Sequence, residues 1–72
     1  MEKVYLISTC IKINKRYSIF HFKGYFKGHR VKEVHLENMN FCIGSEYLIK
    51  MYTKGVEENI LYGEALKTKK LD

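Results

Sequence analysis

The feature that most constrains this chain is a strict alternation over residues 17–36, Y-S-I-F-H-F-K-G-Y-F-K-G-H-R-V-K-E-V-H-L. In an extended chain successive side chains point to opposite faces. One face of the first half then carries Ser18, Phe20, Phe22, Gly24 and Phe26. The other carries Tyr17, Ile19, His21, Lys23, Tyr25 and Lys27. A turn at Lys27, Gly28 and His29 uses the freedom of Gly28 to take positive φ. That turn sets Phe22 opposite Val34 and Phe20 opposite Leu36. On the other face it sets Tyr25 opposite Val31, Lys23 opposite Glu33 and His21 opposite His35. A one-residue slip would break the agreement of the faces, so the pattern predicts a β-hairpin in a specified register.

The rest of the chain divides into short strands. K-V-Y-L-I-S-T-C-I-K-I (3–13) is apolar on both faces, as expected of a strand buried on both sides. Asn14-Lys15-Arg16 is a polar turn. Gly24 interrupts the Phe stripe and predicts a bulge or a sharp bend. Glu37 to Asn40 is turn-like, and Phe41-Cys42-Ile43 reads as a plug of core residues closed by Gly44-Ser45. Residues 46–53 and 60–67 are further strands, with a loop from Lys54 to Asn59 reversing at Gly55. The expected strands are therefore 3–13, 17–27, 30–37, 46–53 and 60–67. Residues 1–67 form one domain, and 68–72 a flexible basic tail. The expected core is Val4, Leu6, Ile11, Phe20, Phe22, Phe26, Val34, Leu36, Phe41, Ile43, Tyr47, Ile49 and Met51.

Five short strands with turn signals between them predict an all-β, antiparallel five-stranded barrel, since closure removes exposed edges. At 72 residues the core is thin, with roughly 60% of the unfolded surface buried. The long first strand, the glycine-bent second, a third ending in V-H-L, the connecting F-C-I-G-S and then E-Y-L-I-K-M-Y resemble the oligonucleotide/oligosaccharide-binding (OB) fold. The resemblance is one of pattern over most of the chain. The short connection between the third and fourth strands leaves an SH3-like barrel as the alternative. In OB-folds the second and third strands form the ligand platform, so the resemblance implies the same surface here.

Charge points to that surface independently. Residues 1–32 hold eight Lys and Arg against one Glu, residues 33–66 two Lys against six Glu, and residues 67–72 three Lys against one Asp. Single strands are bound by aromatic faces that stack bases and by cations that follow phosphates. The predicted site for single-stranded DNA or RNA is Tyr17, His21, Lys23, Tyr25, Lys27, Arg30 and Lys32. The alternative is a protein-interaction or adaptor barrel, homodimeric or not, in which Tyr17, Ile19 and Tyr25 cover a second core or a partner.

Other chemistries find little footing. His21, His29, His35, Cys10 and Cys42 show no C-x-x-C or H-x₃-H spacing, so no metal site is expected. No nucleophile, base and orienting group can be named, and no phosphate-cradling glycine loop is present. The expectation is a binding module, not an enzyme, with no cofactor. No apolar run approaches the ~18 residues of a membrane span, and Val4 to Ile7 is far short of a signal segment. A cytoplasmic protein with two unlinked, core or near-core cysteines is expected.

Overall fold

A computed structural model describes residues 2–37 and 40–72. The expected turn at Asn38-Met39 lies outside the described residues. Five strands appear: β1 (Lys3–Ile13), β2 (Ser18–Phe26), β3 (His29–Leu36), β4 (Glu46–Glu57) and β5 (Ile60–Lys70). They close into a barrel in the order β1-β2-β3-β5-β4, consistent with an OB-like small barrel. The sheet is mixed rather than antiparallel throughout, because β3 and β5 pair in parallel from Glu33↔Ile60 to Leu36↔Gly63. Sequence patterning shows the faces of a strand but not the direction of a non-consecutive partner, so this parallel pair had no local signal.

Both long hairpins turn on two residues, not three or more. Lys27 and Gly28 take φ of 49° and 82°, and Glu58 and Asn59 take 51° and 66°. Positive φ at both central residues is the type I′ signature, whose twist suits the flanking strands. The shorter first turn accounts for one residue of difference from the expected register. A bulge between His21 and Gly24 accounts for a second. Beyond the bulge Phe20 therefore lies opposite Val34, Ser18 opposite Leu36 and His21 opposite Glu33. A shift of two residues keeps each side chain on its expected face, which is why Phe20, Val34 and Leu36 are still buried together. The expected Lys23–Glu33 and His21–His35 pairs do not form. Gly55, read as the point of reversal, instead sits at a bulge inside β4. The turn comes later, and β4 and β5 run longer than expected, β5 continuing through residues assigned to the tail.

β1 serves two neighbours. Lys3 to Thr9 pair with β4, and Cys10 to Ile13 with β2. At the changeover, Cys10 N–H donates to the Ser45 carbonyl (3.0 Å) and Gly44 N–H to the Cys10 carbonyl (2.7 Å). Where the β1–β2 ladder has stopped, the buried Ser8 hydroxyl donates to the His21 carbonyl. Ile11 lies on the outer face with Tyr5 and Ile7, opposite Leu6, Ser8 and Cys10, so it is exposed and not core, and the bulge between Cys10 and Lys12 brings Ile13 inward instead.

The core centres on Phe20, Val34, Leu36, Ile49, Met51 and Leu61. Phe20, Phe41 and Tyr47 meet edge to face with centroids 4.9–6.1 Å apart, the geometry favoured by ring quadrupoles. Tyr47 Oη also accepts the Cys42 N–H at 2.7 Å, fixing the segment that carries Phe41 across the barrel. Only Phe41 of the expected Phe41-Cys42-Ile43 plug points in; Cys42 and Ile43 are exposed. Val4, Phe22 and Phe26 pack at the margin of the core. The two cysteines are unlinked, with Cys10 buried. Burial pushes its thiol above the ordinary value of 9.0. Among the described residues no buried side-chain polar atom lacks a partner. None of their helices is long and apolar enough to cross a membrane.

Candidate nucleic-acid interface

The β2–β3 ribbon brings together part of the predicted site. His21, Phe22, Lys23, Arg30, Lys32 and Glu33 line one open depression of about 440 Å³. Beyond the bulge Tyr25 pairs with Arg30. Tyr25 is 72% exposed, so its ring presents a face to solvent. The bulge is what gathers the cations. Phe22 and Lys23 together stand against Lys32 alone, between the pairs His21↔Glu33 and Gly24↔Val31. Such a two-against-one arrangement kinks the strand and re-aims side chains.

Counter-charges decide how available these cations are. Lys23, Arg30 and Lys32 have no ion-pair partner among the described residues. The one acid of the depression, Glu33, turns its Oε1 to His35 Nε2 at 2.9 Å. That bond draws the carboxylate toward the nearly buried His35 instead of toward Lys23.

Two predicted residues lie elsewhere. Tyr17 is half-buried in a three-ring cluster, 5.6 Å from both His35 and Tyr62, which are 5.4 Å from each other. With the buried Ile19 this makes a small second core outside the barrel. Its existence follows from the parallel β3–β5 pair, which sets Tyr62 beside His35. Lys27 pairs with Glu2 at 3.0 Å, both side chains more than half exposed. It lines a different cleft, with Phe26, His29 and Val56. Phe22 and Glu33 are the residues of the depression that charge and aromatic counting passed over. Phe22 was placed wholly in the core, and Glu33 was set opposite Lys23, whereas it lies opposite His21 and bonds His35.

Among the described residues no group of three or more His, Cys, Asp or Glu is placed to hold a metal ion. Comparison with protein-family models, curated proteins and solved structures found no match.

Proposed function

We propose that the barrel is a binding module for single-stranded nucleic acid, engaged through the β2–β3 depression. The observation that carries the reading is the convergence of Lys23, Arg30 and Lys32, none ion-paired among the described residues, beside the exposed ring of Tyr25. Lys23, Arg30 and Lys32 contact phosphates, Tyr25 stacks a base, and His21 and the edge of Phe22 border the strand's path. Lys27 contributes only after leaving Glu2, a small obstacle because an exposed pair is worth about 0–1 kcal/mol. Tyr17 supports the platform from the ring cluster. Two unlinked cysteines suit a reducing compartment such as the cytoplasm.

The test is fluorescence anisotropy with labelled single-stranded DNA and RNA across a salt series. Three phosphate contacts give a log–log salt slope of about −2, and each lysine removed lowers it by about 0.7. Tyr25→Ala weakens binding by ~1–3 kcal/mol and leaves the slope nearly unchanged, because stacking releases no counterions. Unaltered affinity in folded Lys23→Ala and Tyr25→Ala proteins removes this platform as the site. No binding to any oligomer at low salt removes the reading altogether.

A further inference from the structure

The opposite side of the barrel carries a second surface. The outer face of the β1–β4–β5 sheet is laid out in cross-strand rows. Ile7, Leu48 and Lys69 form one row, and Tyr5, Lys50 and Lys67 the next. The sequence reading buried this face of β1. Instead Tyr5 is 67% exposed, Ile7 59% and Leu48 38%. A groove of about 350 Å³ lies between Tyr5, Leu48, Lys50, Lys67, Thr68 and Lys69. It has an apolar part, a cationic rim and no acid in its lining. Lys50 stands over the Tyr5 ring at 5.6 Å, so the aromatic and the cation are held together.

We propose that this surface docks an acidic, extended segment of a partner protein, which lies across the outer face of β4 and β5, sets carboxylates against Lys50, Lys67 and Lys69 and seats an apolar side chain between Tyr5 and Leu48. Charge selects the occupant. Lys50, Lys67 and Lys69 ask for carboxylates and would oppose each other across a symmetric contact with a second copy. Shape and chemistry narrow it further. One face of the Tyr5 ring is taken by Lys50, and Ile7 and Leu48 offer no stacking face for bases. A groove admits a side chain, whereas a bilayer surface meets a protruding apolar face. The seated side chain and the three lysines together supply affinity and preference.

The test uses a synthetic peptide of alternating glutamate and valine, titrated into the isotopically labelled full chain and followed by amide chemical shifts. The expected result is perturbation of residues 48–50 and 67–69. Lys67→Glu with Lys69→Glu weakens binding by about tenfold or more. Leu48→Ser and Tyr5→Ser, each checked for folding by its own spectrum, weaken it as well, and Lys23→Glu does not. An oligonucleotide on the β2–β3 face leaves the peptide in place, so failure of either site is read separately. The proposal is overturned if the perturbed amides map to β2 and β3, or if Leu48→Ser and Tyr5→Ser bind normally. It is equally overturned if anionic vesicles or oligonucleotides occupy residues 48–50 and 67–69 and the peptide does not.

Discussion

Gly63 closes the barrel, and replacing it with Ala tests how that closure is made. Gly63 lies on β5 between Leu36 of β3 and Thr53 of β4. A Cβ built there comes within 3.0 Å of both the Tyr52 carbonyl oxygen and Met51 Cε, closer than real Cβ atoms approach. The methionine end can shift, but the carbonyl belongs to a paired strand and cannot move without opening β4 from β5. Overpacking of this kind costs about 1–3 kcal/mol. Separation also endangers the bond from Glu37 N–H to the Gly63 carbonyl (3.1 Å), worth about 1 kcal/mol. Against this, the φ of Gly63 is not positive, so Ala lowers unfolded-state entropy and returns about 0.4–1 kcal/mol. The clash wins, and the net loss is about 2 kcal/mol. In a domain this small that lowers the melting temperature by about 8–16 °C. Urea denaturation followed by tyrosine fluorescence reads it directly, since the chain has six Tyr and no Trp. Gly24→Ala is the control, because its nearest neighbour is the half-buried Phe22 ring at 3.1 Å, which can give way. A Gly63→Ala protein within about 0.5 kcal/mol of the parent, or a Gly24→Ala protein that loses as much, would refute the reasoning.

Phe20→Ala costs about 3–5 kcal/mol by denaturation and exceeds the loss for Phe22→Ala, because Phe20 is fully buried against Phe41 and Tyr47 while Phe22 is at the margin. A thiol reagent labels Cys42 alone in the native protein and both cysteines in denaturant, since Cys10 is buried and its thiol is held above 9.0. A raised folded-state value means the folded protein holds that proton more tightly. The associated stability is complete below pH 9.0 and is lost as pH rises through the folded value. Stability measured above pH 9.0 therefore falls more steeply in the parent than in Cys10→Ala. Glu58→Asn raises stability by about 0.5–1 kcal/mol in the same urea assay, because Glu58 holds a φ of 51° that Asn adopts more readily.

Local pattern made the strands legible, and non-local pairing did not follow from it. The period-2 alternation of Phe20, Val34 and Leu36 placed these side chains inside, and Gly24 marked the bulge beside it. The number of residues in each turn was not legible. Lys27-Gly28-His29 and Lys27-Gly28 differ by one peptide unit, and Lys27 is not a residue that announces a positive φ. Glu58 hides the second type I′ turn in the same way. Ile11 was placed in the core although it alternates with the buried Leu6, Ser8 and Cys10, and the bulge after Cys10, which brings Ile13 inward, had no signal in the sequence. For the candidate site, Lys23, Tyr25, Arg30 and Lys32 were readable because they lie on one hairpin. Tyr17 lies apart from them because the rings that hold it come from β3 and β5, and no stretch of sequence shows which strand β3 will meet in parallel.

The divided pairing of β1 has a consequence for the order of assembly. The β2–β3 and β4–β5 ribbons each need only a two-residue turn, and such hairpins form in about 1–10 μs. β1 is different, because its second half meets the following strand while its first half must wait for β4. The β3–β5 pair is also remote in sequence. Loop-closure entropy delays such contacts relative to local ones. The barrel should then close by two late events, β1 swinging onto β4 and β5 onto β3, with Gly44 and Ser45 as the latch where Cys10 changes neighbours. Substitutions in the latch would speed unfolding and leave the folding rate nearly unchanged, while those at the hairpin turns would act on folding itself.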